Sequence, residues 1–175
     1  PPRKIVYASV GKTPEEIREA IKRGILFFNV ESISELKLIN RICASLNKIT
    51  QVAIRINPDV EPKTHHYITT GKLTNKFGID FATAKNIFLA RKQFKNLRIN
   101  AVHMHIGSQI IESSPFISAI KRVAAFIDEL KKASIKIEYL NIGGGLGIIY
   151  KDEKPQTAEQ FAKAVLPILK KTGLK

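Results

Sequence analysis

Apolar and polar positions along this chain follow two rhythms that take turns from end to end. Short β-branched and aromatic runs over Lys4 to Val10, Ile25 to Val30, Gln51 to Asn57, Asn100 to Ile106 and Ile137 to Ile142 read as strands. After each of them the spacing lengthens to that of a helix. Thr13 can cap the first helix, with Pro14 at its first position and Glu16 three residues on, a capping box. Ser32 caps the second, with Glu35 closing the box. Phe81 to Lys92 is the third helix. Ser113-Ser114-Pro115 starts a fourth that reaches Ala133 with Ile117, Ile120, Val123, Ala124, Ile127 and Leu130 on one face. Ala158 to Lys171 is the last. Five strand-then-helix units imply parallel strands and right-handed crossovers. The fold class is therefore α/β, as a doubly wound open sheet or as part of an eight-fold barrel. A closed barrel takes about 250 residues, so the 175 here make most of one in a single domain over residues 1–175. The polar stretch Asp59 to Gly78 is long for a compact domain and reads as a functional loop.

Composition narrows the classes. With 44% hydrophobic and 25% charged residues the chain is globular, and disorder, collagen and small disulfide scaffolds are excluded. Its apolar runs fall short of the roughly 18 residues a membrane span needs, so a soluble, cytoplasmic protein is expected with no membrane partner. Cys43 has no second cysteine to pair with and lies in a helical stretch; a buried apolar role in a reducing compartment fits it. The opening Pro1-Pro2-Arg3 has no methionine, which suggests a piece of something longer. The net charge is +14. The basic residues are spread along helix faces without aromatics among them, so no nucleic-acid partner is expected.

In either architecture the chemistry sits where strands run into loops. There the chain places Arg55, Asn57 and Asp59, then His103, His105, Gly107, Ser108 and Gln109, then Gly143 to Gly147. Consecutive glycines let backbone N–H groups turn toward a phosphate, whereas a tight strand exit alone would need only one or two of them. The run is neither the dinucleotide fingerprint, whose third glycine would fall on Ile148, nor a Walker loop. His103 and His105 point to one side of a strand. They could be two metal ligands without a fixed third, an imidazole packed against a planar group, or, for His103, a core residue; no metal site is expected. Arg55 interrupts an apolar strand and faces either a barrel lumen, where it needs an anion or carboxylate, or solvent on an edge strand. Lys76 reads as a solvated lysine.

Taken together, Asn57-Pro58-Asp59-Val60, the Lys63-to-Gly71 loop, Asn75-Lys76-Phe77-Gly78-Ile79, His103-Met104-His105-Ile106-Gly107-Ser108-Gln109 and Gly143-Gly144-Gly145-Leu146-Gly147-Ile148 resemble the diaminopimelate decarboxylase family in order and spacing. Val10-Gly11-Lys12-Thr13 and Phe28-Asn29-Val30-Glu31-Ser32 match its pattern too. The resemblance implies an alanine-racemase-like, fold type III (β/α)8 barrel with about strands three to seven present, and a β-rich second domain outside this chain. It implies pyridoxal 5'-phosphate as cofactor, meso-diaminopimelate as substrate, L-lysine and carbon dioxide as products, and a homodimer with shared sites. His105 would stack on the ring, Ser108 and the backbone of Gly143, Gly144 and Gly145 would hold the phosphate, Arg55 would lie in the lumen, and Lys76 would reach the dimer interface. The family's Schiff-base lysine and its Glu-Pro-Gly-Arg motif match no position here, so no catalytic residue is expected within this chain and none of the turnover. Asn141 stands where an aspartate is usual. A sister arginine, ornithine or carboxynorspermidine decarboxylase, and a non-catalytic binding protein derived from such a barrel, are the other readings.

Overall fold

The computed structural model describes residues 1–60 and 77–175. Its strands are β1 (Val6–Tyr7), β2 (Phe27–Val30), β3 (Thr50–Arg55), β4 (Leu97–His103) and β5 (Tyr139–Asn141). The helices that follow them are α1 (Pro14–Arg23), α2 (Ile33–Ser45), α3 (Phe81–Leu89), α4 (Ser114–Lys132) and α5 (Ala158–Thr172). All neighbouring strands are parallel, and they lie side by side in chain order, β1-β2-β3-β4-β5. That order decides between the two architectures, because a doubly wound sheet reverses direction at a switch point whereas a barrel sheet advances one way.

The sheet has two unlike faces. Phe28, Val30, Val52, Ile54, Val102 and Met104 point toward the helices and are at most barely exposed, packed with Ile17, Leu36, Ile39, Phe88, Ile120 and Ile127 into the main core. The opposite face starts with a small apolar floor of Phe27, Ala53 and Ala101, against which Val6, Leu26 and Tyr139 pack. Cys43 belongs to the main core, as its apolar role predicts, and burial pushes its thiol up to about 11, well away from thiolate chemistry.

Helix starts follow the sequence closely. Thr13 and Glu16 close the expected capping box on α1. Thr157 and Gln160 form a further box on α5 that the sequence reading did not name. The second expected box is corrected. Ser32 does accept from the Glu35 N–H, but the Glu35 carboxylate turns away from the cap and accepts from the N–H of Glu31 instead, at 2.7 Å. Strand bounds differ more. β1 is two residues long, and β4 begins three residues before the expected Asn100 and ends at His103. The reason is a bulge: Val52 pairs with Ile99 but Ala53 with Ala101, so Asn100 is an extra residue. Alternation therefore changes phase inside β4, with Leu97 and Ile99 facing the helices before the bulge and Val102 and Met104 after it.

Candidate functional site

Above the apolar floor the inner face turns polar. Arg55, His103 and Asn141 stand in one row across β3, β4 and β5. With Asn29, Glu31, His105, Gly143 and Gly144 they line a cavity of about 420 Å³ at the carboxyl ends of the strands. A second cavity of about 300 Å³ opens on the other side of Arg55 and His105, lined further by Asn57, Phe77, Gly107 and Ser108. The site is thus two hollows divided by a guanidinium and an imidazole.

Arg55 is 8% exposed and faces the lumen, which settles its orientation against an edge-strand position. Its partner is a carboxylate from the neighbouring strand end. Arg55 Nη1 donates to both oxygens of Glu31, at 2.9 and 2.7 Å, and Nη2 donates to the His105 carbonyl at 3.4 Å. The Phe77 ring lies 5.7 Å from the guanidinium on its other side. Glu31 is desolvated, which raises its pKa against the pull of Arg55. Behind Glu31 lies a second ion pair, whose lysine side chain is fully buried. Lys12 Nζ donates to Glu35 Oε1 at 2.6 Å, to the Ser9 carbonyl at 2.6 Å and to the Asn29 carbonyl at 2.7 Å. Asn29 is 1% exposed, and neither polar atom of its carboxamide forms a hydrogen bond among the described residues.

The two histidines differ in burial. His103, on the lumen face, is buried with Nδ1 3.2 Å from the Asn141 carbonyl, and burial, helped by the charge of Arg55, lowers its pKa to about 4. His105 lies just past the strand end, half-buried. Its pKa is lowered by desolvation and then by Arg55, so the ring is neutral near pH 7. Its Nδ1 accepts from the Gly144 N–H at 3.4 Å, which leaves the ring proton on Nε2.

The glycine run is pressed against the segment that carries His105. Gly143 has φ 74°, and a Cβ there would stand 2.5 Å from the Met104 carbonyl oxygen. Gly145 has φ 108°, and a Cβ there would overlap the carbonyl oxygen of Gly107. Both positions need glycine for approach as well as for conformation. Gly144 is different: nothing lies within 4 Å of where its Cβ would be, so it faces open space. The run is held by a bridge between Ile110 and Leu146 and by Gln109, whose amide group donates to the Ile148 carbonyl and accepts from its N–H. Asn141 Oδ1 accepts from the Gly143 N–H at 2.9 Å.

The structure brings Arg55, His105, Ser108, Gly143, Gly144 and Gly145 to one end of the sheet, with Ser108 on the smaller hollow and Gly143 and Gly144 on the larger. Lys76 and the Lys63-to-Gly71 loop lie outside the described residues. Among the described residues no three His, Cys, Asp or Glu side chains gather as a metal would need. Sequence reasoning gave Lys12, Asn29 and Glu31 no role beyond their place in the matched motifs, and read Glu35 as part of the second helix cap. Lys12, Asn29 and Glu31 stand at or beside the exit of an early strand, with polar groups where a solvated turn would do.

Comparisons with known proteins agree with this geometry. Residues 1–174 match the family described as "Pyridoxal-dependent decarboxylase, pyridoxal binding domain". The chain belongs to this family. It is 47% identical over 160 residues to a diaminopimelate decarboxylase of Aquifex aeolicus, covering 91% of this chain and 38% of that protein. It is 43% identical over 170 residues to that of Vibrio cholerae, covering 97% and 41%. The crystal structure of diaminopimelate decarboxylase from Helicobacter pylori complexed with L-lysine superposes with a TM-score of 0.89 at 40% identity, covering 99% of this chain and 44% of that one. The chain thus spans about two-fifths of the length of these relatives. Its five parallel strands and their helices are part of the (β/α)8 barrel of this decarboxylase fold.

Pyridoxal phosphate is the cofactor that goes with this domain, and the residues present fit it. The larger hollow has one wall of neutral imidazole, and the open face of Gly144 stands beside it. Arg55 puts a fixed positive charge between the two hollows, held in place by Glu31. Among the described residues no helix is long and apolar enough to cross a membrane.

Proposed function

We propose that residues 1–175 are part of the barrel domain of a cytoplasmic diaminopimelate decarboxylase, which removes carbon dioxide from meso-diaminopimelate to give L-lysine. The observation that carries this reading is the glycine run laid against the His105 segment, joined to 40 to 47% identity with decarboxylases of that name. Against a sister decarboxylase stands the identity itself, which drops to 20% for the lysine/ornithine decarboxylase of Vibrio vulnificus. Against a non-catalytic binding protein stands the retention of His105, Ser108 and the glycines together.

When bound, pyridoxal phosphate supplies the electron sink for the carbon that loses carbon dioxide. This chain's part is to seat it. The exposed backbone of Gly144, with Gly143, Gly145 and the Ser108 hydroxyl, would hold the phosphate. The neutral face of His105 would lie against the ring, since an uncharged imidazole stacks on an electron-poor ring without adding a buried cation. Arg55, fixed by Glu31, would present its remaining N–H groups toward the ring's polar edge. His103 stays neutral at working pH and packs behind it. Lys76 would contact the second subunit of a homodimer with shared sites.

The test is an assay of the full-length enzyme for carbon dioxide release from meso-diaminopimelate, arginine, ornithine and carboxynorspermidine. Turnover restricted to meso-diaminopimelate is the expected result; preference for another substrate would overturn the reading. The 175-residue chain by itself is expected to form no lysine.

A further inference from the structure

We propose that Lys12 and Glu35 are a positioning pair for cofactor binding: they fix the backbone on both sides of Val30 and so hold the Glu31 carboxylate where it clamps Arg55. The inference rests on the function proposed above. Its starting point is that Lys12 is wholly buried, with a side-chain exposure of 0% against 13% for Glu35. A lysine is almost never buried unless every donor is used. Here all three are used, on the carbonyls of Ser9 and Asn29 and on Glu35 Oε1, all within 2.7 Å.

The acceptors explain what the pair does. The Asn29 carbonyl belongs to β2, one residue before Val30. The other oxygen of Glu35 accepts from the Glu31 N–H at 2.7 Å, one residue after it. The last peptides of β2 are therefore gripped from both sides, and the residue they deliver, Glu31, is the only described carboxylate that pairs with the Arg55 guanidinium. The third acceptor, Ser9, ties the exit of β1 to the same point, and Ser9, Asn29 and Glu31 all line the larger cavity. A buried ion pair adds little to stability compared with apolar side chains of the same volume. Its use lies in geometry: it gives two cavity walls and one clamp a single arrangement. The same pull explains why Glu35 leaves its capping box on Ser32 open.

The test uses the full-length enzyme stripped of cofactor, with pyridoxal phosphate as the probe and its visible absorbance as readout of Kd. K12M leaves the Glu35 charge without its cation. E35Q leaves one oxygen for two donors, so either Lys12 or the Glu31 N–H is dropped. Each is expected to weaken Kd about ten-fold, the equivalent of about 1.4 kcal/mol and within the range of coupling inside one ion-pair network. In K12M/E35Q the amide oxygen can still accept from the Glu31 N–H, but the grip on the Ser9 and Asn29 carbonyls is gone, so Kd should stay about ten-fold weaker, with no further loss beyond either single variant because the two residues act as one unit. Circular dichroism separates folding from binding; if K12M does not fold, E35Q and the double variant carry the same comparison. Folded variants with lowered melting temperature but native Kd would make the pair merely structural and overturn the inference. Recovery of native Kd in the double variant would overturn it too, because binding would then need only the absence of a lone charge and no grip on β2. Failure of the native enzyme itself to bind pyridoxal phosphate would instead overturn the proposed function, and the inference with it.

Discussion

The two faces of the sheet are made by alternate residues of the same strands, yet they are under opposite demands. Toward the helices, Phe28, Val30, Ile54 and Val102 meet only hydrocarbon, and any side chain of similar shape and volume would serve. Toward the lumen, Asn29, Glu31, Arg55 and His103 are buried nearly as well but are polar, and burying each carries a cost that only a partner offsets. The helix face holds the fold; the lumen face sets a charge pattern at a cost in stability. The largest test of that division compares Phe28→Ala with Glu31→Ala. Removing a fully buried phenyl ring should cost about 3 to 5 kcal/mol. Leaving Arg55 unpaired should cost about as much. The second loss is reversible by design: Glu31→Met combined with Arg55→Met should regain most of the stability and none of the cofactor binding, because no lone charge remains. Urea unfolding and cofactor titration of the full-length enzyme read the two effects. Recovery of binding along with stability would show that the lumen pair is packing after all.

A pH titration sharpens the same contrast. Burial and Arg55 lower the His103 pKa to about 4, below the ordinary value of 6.5, so the unfolded state binds the extra proton first. Stability from this group is fully present above pH 6.5 and is lost as pH falls toward 4, by about 3 kcal/mol in total. His103→Asn should remove that slope from the plot of cofactor-free melting temperature against pH. An unchanged slope would place the acid sensitivity elsewhere, away from the lumen.

How much of this could be read in the sequence divides along the same line. The helix face was legible because helical spacing and caps are local: Thr13, Pro14 and Glu16 declare α1 in four residues. The strand-end clusters were legible because polar residues and glycines are conspicuous after apolar runs. Two things were hidden. The Asn100 bulge changes the phase of β4 halfway, so Leu97 and Ile99 seemed to precede the strand when they begin it. The Lys12–Glu35–Glu31–Arg55 network joins residues 23 and 24 positions apart through two strand exits, and no local pattern carries such a contact. Glu35 even had a local explanation, the capping box, which tertiary structure overrode.

Gly143 offers a smaller test, because its constraint is backbone and not charge. Gly143→Ala forces a Cβ against the Met104 carbonyl at a φ of 74°, a strain of about 1 to 3 kcal/mol. The run must then shift off the His105 segment, so cofactor affinity should fall along with melting temperature. Gly144→Ala meets open space and carries no such strain. It should leave melting temperature unchanged and still weaken cofactor binding, since a methyl group would occupy the face left free. If Gly144→Ala bound cofactor normally, the phosphate would have to sit on another part of the run.

The smallest effect is expected where the lumen is not involved at all. Thr13 accepts from the Glu16 N–H while the Glu16 carboxylate accepts from the Thr13 N–H, so α1 is closed by a local, exposed pair of bonds. Lys12, next to Thr13, points the other way into the ion-pair network. Thr13→Ala should therefore cost about 1 kcal/mol through the lost cap, and leave cofactor Kd unchanged. Ser32→Ala starts from a half-open box whose carboxylate serves the lumen; it removes the bond from the Glu35 N–H and an exposed bond with the Ser34 hydroxyl, and should cost less. The pair of variants asks whether one turn of chain separates the two demands on this sheet. A cofactor effect from Thr13→Ala would mean that the start of α1 and the Lys12 network move as one unit, and that the helix layer reaches into the site at this corner.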